Sequence, residues 1–421
     1  MANELNRNDN RIKLACYATN VTMAVTGNLT ALLFLTFRSL YGITFTELGF
    51  LVAINFFTQL TIDLIFSFFS HKFNIPLVVK LTPLITIVGL IVFALSPIVF
   101  SNNIYLGLLI GTVIFSASNG LAEVLMSPTI AALPFKDPEH AMSKLHAVYA
   151  WGAVAVAIFI TVFLFIFDKE SWQWLALTLC LIPLTAFILF LTAKHPEMQT
   201  NEKIGGVKTV FRNKQLWICF IAIFLGGASE IIMGQWSSSY LEQMGLPKIW
   251  GDIFGVAVFS ATLGLGRTWY SKYGKNIEKF IFIGAIGATA CYLLGALSPF
   301  AVIGLIGCAL TGFFVSMMWP GSLIIVQERV PNGGVLIFAL MASGGDMGAA
   351  VGPQLVGVVT DLVTTNANMV DFAYTLGLTV EQLGMKVGLL LGSLFPILAI
   401  VVYSYLVKSK EKIKLLNEKT I

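Results

Sequence analysis

The sequence predicts an all-α polytopic membrane protein with twelve transmembrane helices in two six-helix bundles. Hydrophobic residues make up 57% of the chain and charged residues 11%, whereas soluble domains average about 45–50% and about 25%. Charge-free runs such as Leu84–Val99 and Val387–Val402 approach the length of about 20 apolar residues that a spanning helix needs. A disordered chain is excluded by the mean hydropathy of +0.84, and an outer-membrane barrel would show short alternating strands instead.

Twelve apolar segments satisfy this length criterion. The first six lie at 14–37, 46–70, 76–98, 104–131, 141–167 and 172–193, and the second six at 215–241, 250–271, 279–297, 300–326, 334–361 and 385–407. The longest polar segment separates the two sets. We therefore predict an N-terminal bundle over residues 1–193, a cytoplasmic linker over 194–214 and a C-terminal bundle over 215–421.

The distribution of basic residues predicts the orientation of the chain. Of the 26 Lys and Arg residues, 21 lie in or beside the termini and the loops that follow spans 2, 4, 6, 8 and 10. Four lie in the remaining loops, and Arg267 lies within a span. Because cytoplasmic segments are enriched in Lys and Arg, we expect both termini in the cytoplasm and the protein in a plasma or bacterial inner membrane.

The sequence carries no signature of a metal, a cofactor or an enzyme. Its five cysteines lie in apolar runs without CxxC or Cys/His spacing, a pattern typical of small buried side chains. It contains neither a GxxxxGK[ST] loop nor an HExxH helix. The net charge of +4 is not the clustered basic patch that binds nucleic acid. We expect no cofactor, no metal, no nucleic-acid partner and no enzymatic activity.

The two halves of the chain echo each other. Glycines recur at nearly constant offsets between matching spans: the pairs are Gly120 and Gly312, Gly152 and Gly345, and Gly42 and Gly245, at offsets of 192, 193 and 203. Two parallel six-helix repeats are a recurring plan of membrane transporters. The offsets therefore favour a duplicated transporter.

Local motifs resemble a known family. The segment Lys272–Lys275 (KYGK), between spans 8 and 9, is similar to the end of the DRxGRK loop of the major facilitator superfamily. Glu123 precedes Pro128 at the spacing that the fucose–proton symporter family uses between an acid and an Asn-Pro pair in its fourth helix, and Leu145–Gly152 is similar to that family's fifth helix. The resemblance implies the major facilitator fold and proton-coupled sugar transport.

The chain departs from that family in one respect. The resemblance implies an aspartate on helix 1, whereas the predicted span 1 has no acid and, among polar amides, only Asn20 and Asn28. Coupling would then have to use another residue or be absent. In span 11, Gly344, Gly348 and Gly352 repeat every four residues and form a glycine stripe that allows close helix approach. Its last two glycines and Pro353 make a Gly-x3-Gly-Pro motif. Antiporters of the superfamily carry that motif in helix 5, so its absence there argues against a proton-driven drug exporter.

Charged residues inside the spans are the first candidates for function, because each costs about 2.5–3.5 kcal/mol to insert at the bilayer centre. Glu123 in span 4 and His146 in span 5 are expected at similar depth, because a short loop joins the two spans. A carboxyl beside an imidazole can relay a proton. Asp63 in span 2 is the third candidate for proton coupling, or a gate residue. The alternative for His146 is an interfacial position facing water.

Span 7 carries candidates for substrate binding. Glu230 lies near its middle, and Gln235 and Trp236 would join Glu230 only if the helix breaks at Gly234, because a regular helix turns them away. With the break, an acid, an amide and a flat aromatic ring would suit a hydroxylated ring. Without it, Trp236 would be a packing residue.

The remaining site candidates lie in other spans. Arg267 in span 8 and Asp346 in span 11 are expected to form a structural or gating ion pair. Asn119, Tyr149 and Trp319 complete the candidates for substrate binding, and for Trp319 packing against span 11 is an equal alternative.

Together these features predict a secondary active transporter that imports a small polar solute, a sugar or sugar derivative, by proton symport. Sodium as the coupling ion remains open, as does a uniporter or exporter of a nucleoside, an organic acid or a drug. The rival classes are an intramembrane enzyme, for which no catalytic cluster is present, and a transporter-derived scaffold, which would not need charges inside the membrane. The expected partners are the solute, the proton and the lipid bilayer, and we expect a monomer.

Overall fold

The computed structural model describes residues 7–69, 72–135, 138–195, 211–330 and 334–418. Within these ranges the chain is helical and has no strand. Eleven helical segments there are long and apolar enough to cross a membrane, and the pair Arg7–Leu32 and Phe34–Tyr41, bent by 46°, counts as a twelfth when taken as one span. The predicted all-α architecture with twelve spans is confirmed.

The chain forms two compact units, Met1–Ile204 and Gly205–Ile421, which we call unit 1 and unit 2. Unit 1 contains spans 1 to 6 and unit 2 contains spans 7 to 12. Most of the predicted linker, residues 196–210, lies outside the described residues.

Unit 1 contains six spans, some of them interrupted. Their helices are Arg7–Leu32 with Phe34–Tyr41 (span 1), Phe45–Phe69 (span 2), Ile75–Ala94 with Ser96–Val99 (span 3), Ile104–Ala131 (span 4), Pro138–Phe167 (span 5), and Trp172–Leu179 with Leu181–Leu191 (span 6).

Unit 2 repeats this order with one irregular span. Its helices are Lys214–Gln243 (span 7), Lys248–Asp252 with Val258–Tyr273 (span 8), Ile277–Leu297 (span 9), Ala301–Val315 with Met318–Arg329 (span 10), Gly334–Thr364 (span 11), and Val380–Gly392 with Leu394–Glu418 (span 12). A π-helical turn, Ile253–Ala257, joins the two parts of span 8, and a short helix, Ala367–Thr375, precedes span 12.

Asparagine side chains begin several spans. Asn74, Asn103, Asn213 and Asn276 each accept a hydrogen bond from a backbone N–H in the first turn of spans 3, 4, 7 and 9. The first N–H groups of a helix have no partner within the helix, and an Asn side chain supplies one. These residues therefore fix where the spans start.

Span 1 begins earlier than the apolar pattern predicts, at Arg7 rather than residue 14. Asn8 donates to the carbonyl oxygen of Lys194 at 2.9 Å and accepts from the Lys194 N–H at 2.7 Å. Arg11 donates to the carbonyl oxygen of Thr192 at 3.1 Å. These contacts extend the helix into the polar segment and join the start of span 1 to the end of span 6.

The internal repeat is visible in the packing of each unit. In unit 1, a Cβ atom at Gly120 would lie 3.0 Å from the carbonyl oxygen of Gln59, so span 4 packs closely on span 2. In unit 2, a Cβ atom at Gly312 would lie 2.2 Å from the carbonyl oxygen of Phe259, so span 10 packs on span 8 in the same way. Matching glycines therefore make matching helix contacts.

The spans of unit 1 meet in an aromatic cluster at one end. The Phe37 and Trp172 rings lie 5.0 Å apart edge to face, and the Phe37 and Phe93 rings 5.7 Å apart. Trp172 also donates its indole N–H to the Tyr41 hydroxyl at 2.9 Å. Such pairs add to the free energy of burial and fix the second part of span 1 against spans 3 and 6.

Buried tyrosines join the spans of unit 2. Tyr292 of span 9 donates to the carbonyl oxygen of Ser229 at 2.7 Å, and Tyr403 of span 12 donates to that of Ala222 at 3.0 Å. Both acceptors lie on span 7. A buried hydroxyl without a partner would be costly, so these bonds fix spans 9 and 12 against span 7.

Candidate functional site

Spans 2 and 4 pack side by side in a constant register. Ser116 of span 4 donates to the Asn55 side chain of span 2 at 2.5 Å. One turn further along, Gly120 contacts Gln59 and Ile62. Residue numbers increase in the same direction along both spans, so the two helices run parallel. Their close approach at Gly120 determines which residues of span 2 lie level with which residues of span 4.

The next turn of this register places two carboxyl groups next to each other. Asp63 follows Gln59 by four residues, and Glu123 follows Gly120 by three. Because spans 2 and 4 are held close together at Gly120 and Ser116, these two carboxyl-bearing residues lie at the same level of adjacent helices. Asp63 is 4% exposed, and its Oδ1 atom has no hydrogen-bond partner among the described residues, whereas Glu123 is exposed. Within the described part of the chain, neither carboxylate forms an ion pair with a Lys, Arg or His.

The other predicted site residues of unit 1 are placed as follows. The side chain of His146 lies outside the described residues, so its pairing with Glu123 stays a prediction. Asn119 is buried and accepts a hydrogen bond from Thr26 of span 1 at 2.9 Å. Tyr149 is 36% exposed, and its hydroxyl lies 3.6 Å from the position of a Cβ atom at Gly27.

In unit 2, two of the predicted residues form an ion pair. Arg267 of span 8 approaches Glu230 of span 7, with 3.3 Å between Nη2 and Oε1. Its Nε atom donates to the carbonyl oxygen of Ser316 in span 10 at 3.1 Å. The second carboxylate oxygen of Glu230 is buried, without a hydrogen-bond partner in the described ranges. The pair therefore joins spans 7, 8 and 10.

This ion pair corrects the predicted partner of Arg267. We expected Asp346, but the carboxylate found against the guanidinium is that of Glu230. Asp346 is 2% exposed in span 11. Its neighbour Gly345 lies against the Trp319 ring. A Cβ atom added at Gly345 would lie 2.5 Å from that ring. The Trp319 ring therefore contacts span 11, as the packing alternative predicts, and its role in substrate binding stays a prediction.

The glycine stripe of span 11 packs against span 7. Added Cβ atoms would lie 2.9 Å from Phe220 at Gly344 and 2.0 Å from the Phe224 carbonyl oxygen at Gly348. The offset between the spans is 124 residues in both cases. The prediction that the stripe allows close approach is confirmed.

Span 7 does not break at Gly234, so the condition on which Gln235 and Trp236 would join Glu230 is not met. Lys214–Gln243 is one continuous helix. Gly234 faces the Phe259 ring, and a Cβ atom added at Gly234 would lie 3.4 Å from it. The missing side chain therefore makes room for this ring and does not kink the helix. Trp236 is fully buried and donates its indole N–H to the Pro353 carbonyl oxygen at 3.0 Å, and Gln235 is 8% exposed. The geometry therefore does not bring Gln235 and Trp236 to Glu230.

Sequence reasoning missed an ion-pair cluster at the ends of spans 9, 10 and 12. Glu278, 1% exposed, lies 2.7 Å from Lys410 and 3.7 Å from Arg329. Arg329 also donates to Gln215 of span 7 at 3.0 Å. Each residue alone is an ordinary charge at the end of a span, so no local pattern indicated the cluster.

The sequence matches the family model of the Major Facilitator Superfamily over residues 15–353. The chain belongs to this family. Members of the major facilitator superfamily are membrane transporters and not enzymes, so the chain is a multi-pass membrane transporter. Among curated proteins, none matches the sequence at a significant level.

Solved structures of membrane transporters share the fold of this chain at low sequence identity. A bacterial homologue of the human lysosomal transporter Spinster, in an inward-facing and occupied conformation, aligns with a TM-score of 0.73 and 13% identity over 96% of this chain and 97% of that one. The nucleoside transporter NupG aligns with a TM-score of 0.70 and 14% identity over 94% of this chain and 99% of that one. The E. coli fucose:proton symporter aligns with a TM-score of 0.60 and 16% identity over 95% of this chain and 99% of that one. The predicted resemblance to the fucose–proton symporters is confirmed for the fold.

Proposed function

We propose that this superfamily member is a secondary active transporter that imports a small polar solute, a sugar or sugar derivative, together with a proton. The observation that carries the proposal is the helix register that places Asp63 of span 2 and Glu123 of span 4 at the same level of two closely packed helices. Residues of this kind inside a membrane are costly and usually functional.

The pair has the properties that a proton site requires. Two neighbouring carboxylates without a cation repel each other, so they are stable together only when a proton or a metal cation is bound between them. Glu123 is exposed and can exchange that proton, while Asp63 is buried and can retain it. This division assigns Glu123 to proton exchange and Asp63 to proton storage.

The pair also offers a replacement for the aspartate that the resemblance to the fucose–proton symporters implies on helix 1. The amide of Asn20 donates to the Leu145 carbonyl oxygen, and that of Asn28 donates to the Ala24 carbonyl oxygen. The Asn20 bond joins span 1 to span 5, the Asn28 bond lies within span 1, and neither amide titrates. In our proposal, Asp63 on span 2 supplies the carboxyl that those symporters place on helix 1.

The substrate class rests on the similarity of the fold and on one buried amide. The fold is similar to that of a fucose:proton symporter, but also to that of a nucleoside transporter. The buried amide of Asn119, one turn before Glu123, places a hydrogen-bonding group beside the acid pair, which suits a hydroxylated solute. We further propose cytoplasmic termini in a plasma or bacterial inner membrane, on the distribution of Lys and Arg. A monomeric state is part of the same proposal.

The experiment is solute uptake by the purified protein in liposomes with an imposed pH gradient. Pentoses, hexoses, nucleosides and organic acids are tested one by one, and we expect a sugar to accumulate only when the outside is acidic. A sodium gradient replaces the pH gradient in a parallel series. Accumulation driven by sodium alone would replace the proton in our scheme. Uptake that only equilibrates, whatever the gradient, would establish a uniporter.

A further inference from the structure

An open groove runs along the surface of unit 1 between spans 1 and 5. It has a volume of about 470 Å³ and is lined by Tyr17 and Val21 of span 1 and by Lys144, Val148 and Trp151 of span 5, among others. Trp151 is 67% exposed. None of the functions assigned above uses this groove.

The groove is apolar except at one end. Among the described residues that line it, Lys144 alone carries a charge, and no carboxylate of the described chain pairs with it. The remaining lining is aliphatic or aromatic apart from the Tyr17 hydroxyl. Such a surface cannot satisfy the hydroxyls of a sugar, but it matches a molecule with a negative head and an apolar tail.

The dimensions of the groove match one leaflet of a bilayer. Lys144 precedes the apolar section of span 5, which begins at Ala147, so its ammonium lies near the boundary between headgroups and hydrocarbon. The last lining residue, Ala155, is eleven residues further along, about 16 Å at the helical rise. Half of the hydrocarbon core is about 15 Å thick.

We propose that this groove binds an anionic phospholipid, with the headgroup phosphate on Lys144 and one acyl chain along Val148 and Trp151. Gly152 forms the floor, because an added Cβ atom there would lie 3.3 Å from Val21 and spans 1 and 5 are in direct contact. Exposed alanines at 147 and 155 leave the room above that floor for the chain. A basic residue at the membrane surface attracts anionic lipid.

The test titrates the full-length protein in detergent with phosphatidylglycerol or phosphatidylcholine and counts bound lipid by native mass spectrometry. We expect phosphatidylglycerol to bind in preference to phosphatidylcholine. Lys144→Gln should weaken phosphatidylglycerol binding about five-fold, the effect of one lysine near an anionic surface. Ala155→Trp should fill the groove and reduce binding of either lipid.

Matched variants separate the groove from a general effect of charge or aromatic surface. Lys275→Gln removes another exposed lysine, and Trp174→Ala removes a tryptophan of span 6 that is 68% exposed. Both should bind phosphatidylglycerol as the parent does, and all variants should keep the parent's unfolding temperature without lipid. Equal binding of the two lipids, equal losses in the control variants, or competition by inorganic phosphate alone at the same concentration would each overturn the proposal.

Discussion

Units 1 and 2 use the same helix contact but place different charges beside it. Gly120 brings span 4 onto span 2 in unit 1, and Gly312 brings span 10 onto span 8 in unit 2. Beyond this contact, unit 1 places the two acids Asp63 and Glu123. Unit 2 places Arg267, whose Nε atom donates to a carbonyl oxygen of span 10.

The difference between the two units separates function from architecture. In unit 2 the acid of span 7, Glu230, is neutralised by Arg267, so the charges hold helices together. In unit 1 the two acids are held together by helix packing although they repel each other. A fold gains no stability from such a pair, so we assign the ion coupling to unit 1 and a positioning role to the ion pair of unit 2.

The largest expected effect comes from Glu123→Gln. This change keeps the size and hydrogen-bonding capacity of the side chain and removes its titration, so uphill accumulation driven by a pH gradient should be abolished. Exchange of labelled for unlabelled solute should persist, because it needs no net proton movement. Both are measured in liposomes. The matched variant is Glu230→Gln combined with Arg267→Met, which should still accumulate solute; if it loses accumulation and Glu123→Gln keeps it, the assignment of the units is reversed.

The second effect concerns the close contact between spans 11 and 7 in unit 2. Gly348→Val would push a side chain against the Phe224 carbonyl oxygen, 2.0 Å from the new Cβ atom. Overpacking costs about 1–3 kcal/mol and more where backbone must move, so we expect little folded protein. Thermal unfolding followed by size-exclusion chromatography measures this loss. Gly295→Ala is the control, because its Cβ atom would meet nothing within 4 Å, and an unfolding temperature equally lowered there would contradict the argument.

The third effect concerns the ion pair itself. Arg267→Met leaves Glu230 without its cation. Removing one partner costs about 3–5 kcal/mol for a buried pair and about 0–1 kcal/mol for a surface pair. Because the Arg267 side chain is 38% exposed and that of Glu230 13%, we expect about 1–2 kcal/mol of destabilisation. Adding Glu230→Gln should recover most of it, and a double variant no more stable than the single one would show that the two side chains are not coupled.

The spans and the close helix contact at the glycine stripe could be predicted from the sequence because both depend on local spacing. Apolar length marks a span, and small residues four apart mark a close helix contact. The proximity of Asp63 and Glu123 could not be predicted, because it depends on the register between two spans some sixty residues apart that Gly120 fixes.

The predicted pairing of Arg267 with Asp346 was wrong for a related reason. A long side chain reaches more than one neighbouring helix, and the spacing along the chain does not say which carboxylate lies closer. The sequence left open whether span 7 breaks at Gly234. It stays regular because a kink in a membrane frees backbone groups that no water can satisfy, whereas a glycine that only makes room for the Phe259 ring leaves the helix intact.

The smallest expected effect tests that regular helix. Trp236→Phe keeps an aromatic ring in the buried position and removes the N–H that donates to the Pro353 carbonyl oxygen at 3.0 Å. The loss should be about 0.5–1.5 kcal/mol of unfolding free energy, measured by thermal unfolding, with solute affinity unchanged because the ring lies between spans 7 and 11. Gln235→Ala should likewise leave the affinity unchanged. Weaker solute binding in both variants at unchanged stability would mean that span 7 opens at Gly234 during transport and that these side chains reach the solute after all.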